Sequence, residues 1–250
     1  MAKSAIVIPA RLASTRLSRK LLLKETGKTV LQHTYESAAK STLAERVIVA
    51  ADDLEIVDEV NQFGGEVILT NPSHVCGTDR VAEVAASLPD FDVIVNVQGD
   101  EPEIAAAAID QAIQLLDRNP EIPMATLATP IRSRETLEDP NCVKVVFDHQ
   151  MHAIYFSRSV IPHPREWSDG YLTSEPALFF QHVGLYCYRR GFLQKIPKLS
   201  PTSIEKAESL EQLRILSNGH KILVGVIDHP IAGIDTLEDY QSFVRRHSNC

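Results

Sequence analysis

Short apolar runs alternate with amphipathic stretches along the N-terminal part of the chain. The apolar runs are rich in β-branched side chains, which is typical of buried strands. They lie at Ala5–Ile8, Arg46–Ala50, Glu66–Leu69 and Val93–Val97. Between them, apolar residues recur at helical spacing in Val30–Ala39, Glu55–Phe63 and Thr78–Ser87. This alternation predicts an α/β fold in which helices cover both faces of a mostly parallel, partly mixed sheet.

The pattern changes after about residue 120. Strand-like runs then follow with little helix between them, at Met124–Thr129, Val143–Phe147, Ala153–Phe156 and Val183–Tyr188. They predict an antiparallel extension of the sheet, and the proline- and tryptophan-containing loop from 161 to 176 predicts either a substrate lid or a dimer contact. The last predicted elements are a helix over Ile204–Ser217, a strand over Ile222–Ile227 and a helix over Leu237–Arg246.

Length, composition and charge narrow the class of protein. A chain of 250 residues can bury a full core, and its net charge of −8 argues against a nucleic-acid binder. No apolar run approaches the roughly 20 residues of a membrane span, and no signal-peptide core precedes Pro9, so we expect a cytoplasmic protein. Since no repeat or low-complexity linker divides the chain, we interpret residues 1–250 as one domain with an insertion at 143–190.

The cysteines and one histidine pair predict no metal or disulfide site. Four cysteines lie far apart and are interpreted as reduced thiols: Cys76, Cys142, Cys187 and Cys250. His149 and His152 have the spacing of metal ligands but lack an accompanying ligand set. We place them at the turn of a hairpin between the runs at 143–147 and 153–156.

A basic loop follows the first predicted strand. Six cations precede the first acidic residue, Glu25, although the whole chain is acidic; they are Lys3, Arg11, Arg16, Arg19, Lys20 and Lys24. Arginine forks and a lysine point charge suit phosphate oxygens, and α/β folds bind nucleotides at the carboxyl ends of their strands. The loop therefore predicts a phosphate site, with a solvated basic loop as the alternative.

Two acidic turns are candidates for a magnesium site. The apolar run at 93–97 ends in Gln98-Gly99-Asp100-Glu101, and a carboxylate at such a strand end is well placed for Mg2+. The alternative is that Asp100 caps a helix starting near Pro102, with Glu101 as a helix-start acid. Asp235 follows Gly233-Ile234 and offers a second carboxylate, although Thr236 and Asp239 alone favour a helix cap.

Two further segments can be interpreted either as ligand-binding or as purely structural. The loop His74–Arg80 enters a helix whose backbone N–H groups could meet a base or a phosphate, or it is simply a capped helix start. In the predicted helix around Leu210, polar residues Glu208, Glu211 and Gln212 share one face, which suits a polyhydroxylated ligand or plain solvent.

In this order, the motifs resemble the 3-deoxy-manno-octulosonate (KDO) cytidylyltransferases, or CMP-KDO synthetases, over essentially the whole chain. The first and third motifs below are shared with other sugar nucleotidyltransferases, whereas the later ones point to KDO. The matching segments are Ile8–Arg11 with Ser14–Leu17 and Lys20, Gly77–Arg80, Asn96–Pro102, Ala128–Ile131, Val143–Val146, Tyr155–Arg158, His182–Tyr186, Leu210–Arg214 and Gly233–Thr236.

The resemblance implies a dimeric, Mg2+-dependent enzyme that joins CTP and KDO to give CMP-KDO and pyrophosphate for lipopolysaccharide synthesis. It implies catalytic roles for Arg16, Lys20, Asp100 and Asp235, the last two as Mg2+ ligands. It implies nucleotide binding by Ala10, Arg11, Ser14, Arg16, Lys20, Gly77, Thr78, Arg80 and Gln98. It implies sugar binding by Arg158, His182, Tyr186, Glu211 and Gln212, with the insertion at 143–190 contributing to the sugar site and the dimer contact.

Two departures and two alternatives accompany the resemblance. Leu17-Ser18-Arg19-Lys20 stands where the family usually has Leu-Pro-Gly-Lys, which leaves the path of the phosphate loop open, and Cys76 replaces the serine of Ser-Gly-Thr. The alternative functions are a cytidylyltransferase for amino-KDO or a sialic acid, and a nucleotide-binding module without turnover. No dedicated general base is evident, and His182 is interpreted mainly as a sugar-binding donor.

Overall fold

The strands of the computed structural model form one mixed sheet within residues 2–14, 16–74 and 76–247, which the structure describes. They are β1 (Ser4–Ala10), β2 (Ala44–Ala51), β3 (Glu66–Leu69), β4 (Val93–Asn96), β5 (Met124–Pro130), β6 (Lys144–Phe147), β7 (Ala153–Ser157), β8 (Phe180–Arg189) and β9 (Ile222–Val226).

The helices connect these strands. They are α1 (Val30–Ala38), α2 (Leu54–Gln62), α3 (Gly77–Ala86), α4 (Ala106–Arg118), α5 (Arg134–Glu138), α6 (Gly170–Thr173), α7 (Arg190–Leu193), α8 (Ser203–Glu208), α9 (Gln212–Ser217) and α10 (Leu237–His247). Short 3-10 helices lie at Lys20–Leu22 and Ile196–Lys198. No helix in the described ranges is long and apolar enough to cross a membrane.

The sheet has the order β3-β2-β1-β4-β8-β5-β9. The neighbours β1 to β4 pair in parallel, and so do β5 and β9. Strand β8 lies between β4 and β5 and is antiparallel to both. The hairpin β6–β7 extends from β8 through the pairing of Lys144 with Gln181. The predicted α/β fold with a mostly parallel, partly mixed sheet is confirmed.

The strands that carry the predicted site are buried on both faces. Along β1, Ile6 and Ile8 contact one apolar cluster, whereas Ala5 and Val7 contact the cluster on the opposite face. This two-sided burial explains why the run is apolar throughout instead of alternating. Ala10 ends β1 at the edge of the sheet where the basic loop begins.

The predicted helix over 204–217 is wrong, because the segment forms two short helices. A capping box between Thr202 and Glu205 starts α8, and Ser209 ends it in the left-handed conformation, at φ 53°. Leu210 is buried, and α9 follows two residues later. The apolar spacing continues across this break, so the pattern alone resembled one helix.

Other boundaries differ by smaller amounts. The helix expected near Pro102 starts at Ala106, and the short helices α5, α6 and α7 were not predicted. The predicted turn at His149 and His152 is confirmed, because β6 and β7 pair as an antiparallel hairpin around it. Thr15, Val75 and Cys250 belong to predicted motifs or thiols but lie outside the described residues. The single domain over 1–250 and the role of the insertion stay predictions.

Candidate active site

A cavity of about 470 Å³ lies beside the carboxyl end of β4. We call it the central cavity. It is lined from four directions: by the start of α3, by the end of β4, by β8 and by the break between α8 and α9. Eight of the predicted site residues line it: Gly77, Thr78, Gln98, His182, Tyr186, Glu211, Gln212 and Asp235. The resemblance therefore grouped residues that the fold does bring together, although they are up to 158 positions apart (235 − 77).

Lys20 joins the two predicted metal ligands. Its ammonium donates hydrogen bonds to Asp100 Oδ2 and, at 3.0 Å, to Asp235 Oδ1. A backbone hydrogen bond of 2.8 Å from the Ile234 N–H to the Asp100 carbonyl holds the two turns together. Burial lowers the pKa of Lys20, but the carboxylates of Asp100 and Asp235 outweigh burial and raise it overall. The lysine is therefore a cation held between two carboxylates.

Asp235 is not the cap of the last helix. The capping box of α10 is formed by Thr236 and Asp239, whose side chains each accept a backbone N–H of the other, at 3.2 and 2.8 Å. The Asp235 carboxylate instead faces Lys20 and Arg16, with 3.0 Å between Arg16 Nη2 and Asp235 Oδ1. The local cap and the acidic site thus use different residues of one turn.

The basic loop is held by contacts to the turn after β2, to the loop before α3 and to α2. The Leu12 N–H donates to Asp52 Oδ1 at 3.0 Å, and Arg11 Nη2 donates to the His74 carbonyl at 3.2 Å. Arg19 adopts a left-handed φ of 53° and forms an ion pair with Glu55. Ser14 is half-buried in the same loop. The loop places Arg16 and Lys20 at the acidic pair, and their role in binding phosphate stays a prediction.

Close packing around residue 99 requires a glycine at this position. A Cβ on Gly99 would lie 3.0 Å from the Pro9 carbonyl oxygen and 3.3 Å from Leu21. The glycine therefore allows the turn after β4 to pass close to the end of β1, and that approach brings Asp100 to Lys20.

Two arginines predicted to bind ligands do not line the central cavity. Arg80 is fully buried and donates a short hydrogen bond to Thr70 Oγ1, with Asp52 Oδ2 at 3.6 Å. Arg158 donates from Nε to the Glu208 carbonyl at 2.7 Å and from Nη1 to the Pro140 carbonyl at 3.0 Å. In this conformation both guanidinium groups support loops around the cavity; their ligand roles stay predictions.

The predicted sugar-binding residues form a hydrogen-bonded wall. Tyr186 Oη donates to Gln212 Oε1 at 3.3 Å, and Thr78 Oγ1 donates to Glu211 Oε2 at 2.8 Å. His182 Nε2 lies 2.9 Å from Thr126 Oγ1. Burial lowers the pKa of His182 to about 3, so the ring is neutral at ordinary pH. A neutral imidazole with so low a pKa suits hydrogen bonding to a hydroxyl better than proton abstraction.

Glu101 is the site residue that the sequence interpretation missed. The expectation of a helix-start acid is wrong, because α4 begins only at Ala106. The side chain is buried and lines the central cavity. Burial, and secondly Asp100, raise the pKa of Glu101 to about 8. Its position directly after a strand-end aspartate was the available signal, but Pro102 favoured a helix start.

The buried His182 predicts a measurable acid sensitivity. The folded-state pKa of about 3 lies below the ordinary 6.5. The contribution of His182 to stability is therefore fully present above pH 6.5 and is lost as the pH falls toward 3. The contribution to the unfolding free energy approaches about 1.4 kcal/mol per pH unit. His182→Gln should remove this slope in urea denaturation between pH 6.5 and 4.5, whereas His163→Gln, on the surface, should keep it. Equal slopes in wild type and His182→Gln would contradict a buried neutral ring.

Comparisons with known proteins agree with the geometry. The model of the cytidylyltransferase family matches residues 5–222. A 3-deoxy-manno-octulosonate cytidylyltransferase of Rhodopirellula baltica is 51% identical over 245 residues and 98% of each chain. One of Geotalea daltonii is 48% identical over 248 residues and 98% of each chain.

A solved structure agrees as well. CMP:2-keto-3-deoxy-manno-octonic acid synthetase, complexed with CTP, superposes with a TM-score of 0.92 and 38% identity over 99% of both chains. A Leptospira borgpetersenii cytidylyltransferase shares the fold, with a TM-score of 0.66 and 18% identity over 100% of this chain and 88% of that one. The resemblance inferred from the motifs is confirmed: this chain belongs to the 3-deoxy-manno-octulosonate cytidylyltransferase family.

Proposed function

We propose that this protein is a nucleotidyltransferase that joins CTP and KDO to give CMP-KDO and pyrophosphate. The observation that carries the proposal is the convergence of Arg16, Lys20, Asp100 and Asp235 beside a cavity lined with hydrogen-bonding side chains. The names of relatives about 50% identical, and a CTP complex of a structural neighbour, agree with it. The product would serve lipopolysaccharide synthesis.

The cationic side chains bind the triphosphate in this proposal. Nucleotidyl transfer depends mainly on in-line positioning and on neutralising charge that develops on the leaving pyrophosphate. Arg16 and Lys20 lie at the acidic pair and can make charge-assisted hydrogen bonds to phosphate oxygens. Gly77 and Thr78 at the start of α3, together with Gln98, line the part of the cavity assigned to the cytidine.

The acidic pair fits Mg2+. Two carboxylates lie within reach of one ammonium, and Mg2+ is usually held by one or two carboxylates together with substrate phosphates. Asp100 and Asp235 would hold the ion. When bound, it would supply positive charge to the phosphate oxygens at the reacting phosphorus. The donor set by itself is small, since the described residues contain no group of three or more His, Cys, Asp or Glu side chains arranged for a metal.

The wall of the central cavity binds and orients the sugar acid. Tyr186, Glu211 and Gln212 present a hydroxyl, a carboxylate and an amide, which suit the hydroxyl groups of a sugar. His182 orients a hydroxyl and does not act as the base, because a pKa of about 3 makes its imidazole a weak proton acceptor. The anomeric hydroxyl of KDO then attacks the α-phosphorus of CTP in line, and pyrophosphate leaves.

Assembly and location complete the proposal. A homodimer that uses the segment 143–190 is supported by two apolar side chains on its surface, Ile154 and Trp167, which are 61% and 38% exposed. Light scattering of wild type and Ile154→Asp tests it, and a monomeric wild type would contradict it. The expected place of action is the cytoplasm, where the CTP pool lies.

The nucleotide preference can be tested without turnover. CTP with Mg2+ should raise the melting temperature by mass action, and a nucleotide at 100 times its Kd adds about 2.7 kcal/mol of stability. Because the base pocket at Gly77, Thr78 and Gln98 is built for cytosine in this proposal, ATP, GTP and dTTP should give smaller shifts. Thermal shift assays measure this, and an equal shift with ATP would contradict the assignment.

A pyrophosphate-release assay decides among the sugar acids. With CTP and Mg2+, KDO should give the highest kcat/KM in a panel that also contains 8-amino-KDO and a sialic acid. A higher kcat/KM with another sugar acid would show that KDO is not the preferred substrate, while the proposed cytidylyl transfer from CTP would still hold. Nucleotide binding without any pyrophosphate release would identify a binding module.

A further inference from the structure

Glu101 is a buried carboxyl without a sufficient set of partners. The residue is 8% exposed, and its Oε2 accepts no hydrogen bond from the described residues. A buried polar atom without a partner costs free energy, so native proteins pair nearly all of them. Because Glu101 also lines a cavity, we expect its carboxyl to gain a partner when a ligand is bound there.

Glu101 belongs to the wall of the central cavity. Glu101 lines that cavity together with His182, Tyr186 and Gln212. Gly184 on β8 faces the carboxyl, and a Cβ at this glycine would lie 3.7 Å from Glu101 Oε1. Because residue 184 is a glycine, it has no side chain that could cover the Glu101 carboxyl.

A second unpartnered polar atom lies in the wall of the same cavity. Gln212 accepts the Tyr186 hydroxyl through Oε1, but its Nε2 has no hydrogen-bond partner among the described residues. Gln212 is 4% exposed, so water cannot fully replace the missing hydrogen bond to Nε2. Two residues of one wall thus carry an unpaired acceptor oxygen and an unpaired N–H donor. Hydroxyl groups satisfy both, since each donates one hydrogen bond and accepts others.

The surroundings of Glu101 favour a neutral partner over an anion. Asp100 is its direct neighbour in the chain and contributes negative charge to its surroundings. A phosphate or a sugar carboxylate placed against Glu101 would lie close to the negative charge of Asp100, whereas a neutral hydroxyl carries no charge to be repelled. The ligand atom that suits this carboxyl is therefore a hydroxyl of the polyol part of the sugar.

We propose that Glu101 is a specificity-determining residue of the sugar-acid site, where its side-chain oxygen accepts a hydrogen bond from a sugar hydroxyl. This proposal rests on the function proposed above and adds a residue to its site. A site built to pair a hydroxyl rejects analogues that lack it, because its own polar atom is then left unpaired.

The test compares the kinetics of Glu101→Met, Glu101→Gln and wild type, with Mg2+ and with CTP and KDO each varied. Glu101→Met should raise the KM for KDO by about tenfold or more and leave the KM for CTP within about twofold. Glu101→Gln keeps an acceptor oxygen and should restore most of the loss. The matched control is Glu103→Met, which removes a carboxyl paired with Arg246 outside the cavity, and it should keep the wild-type KM for KDO.

The melting temperature of the free protein separates this role from a structural one. Because Glu101 Oε2 lacks a partner, Glu101→Met should melt no lower than wild type. An unchanged KM for KDO, an equal rise in both KM values, or a lowered melting temperature with no recovery in Glu101→Gln would overturn the proposal. If wild type itself releases no pyrophosphate from CTP and KDO, the proposed function fails first, and this proposal with it.

Discussion

Asp100→Asn and Asp235→Asn are each expected to lower kcat by about 10³-fold or more while the protein still folds. Both carboxylates lie on the Lys20 ammonium and belong to the proposed Mg2+ site. Asparagine has nearly the same size, so the substitutions remove charge and leave shape. Both side chains are partly exposed, so their ion pairs contribute only about 0–1 kcal/mol to stability. Initial rates at saturating Mg2+ and denaturation midpoints measure the two effects.

The double variant gives a second measure of the same site. If both carboxylates serve one ion, removing the second should cost little beyond the first, so the losses should be far from additive. Asp53→Asn is the matched control, since Asp53 caps α2 outside the cavity and asparagine still caps helices. A single variant that turns over near the wild-type rate would show that its carboxylate is not a metal ligand.

Lys20→Met should separate the roles of the ammonium. We expect kcat to fall by about 10²-fold, because a cation for the leaving pyrophosphate is lost. In metal-free buffer the melting temperature should fall, since Asp100 and Asp235 lose the cation that lies between them. Added Mg2+ should then stabilise Lys20→Met more than wild type, because no ammonium competes for the carboxylates. Thermal shift titrations with MgCl2 measure this.

The control for Lys20→Met lies in the same loop. Lys24 is exposed, and Lys24→Met removes an equal charge away from the acidic pair, so its kcat and its response to Mg2+ should match those of wild type. A weaker response to Mg2+ in Lys20→Met than in wild type would contradict a shared position for ammonium and metal.

The strands could be predicted from the sequence where burial is the only constraint on their residues, because such strands are apolar. Strands β1 and β4 are buried on both faces, and their residues are apolar except for Ser4 and Asn96 at the strand ends. Strand β8 begins at Phe180, three residues before the predicted start at Val183. Gln181 and His182 are polar because they line the central cavity, so the functional positions concealed the start of the strand.

The site could be predicted as a set of residues but not as a set of contacts. Asp100 could be placed from its strand end alone, whereas Asp235 needed the family resemblance, since its turn also contains a true capping box. The directions of Arg80 and Arg158 depend on tertiary partners such as Thr70 and Glu208, which no local pattern reveals. Glu101 was missed because a proline beside an acid is also the usual start of a helix.

The antiparallel position of β8 has a consequence for how the chain reaches this structure. Strand β5 pairs, within the described residues, only with β8 and β9, so nothing synthesised before Phe180 can dock it into the sheet. Strands β1 to β4 can pair with one another early, but the free edge of β4 has no partner until β8 has been synthesised. Such non-local pairing slows folding and exposes strand edges in the meantime. During translation the polypeptide therefore carries an uncovered edge on β4 for more than eighty residues, from Asn96 to Phe180, before β8 begins to cover it.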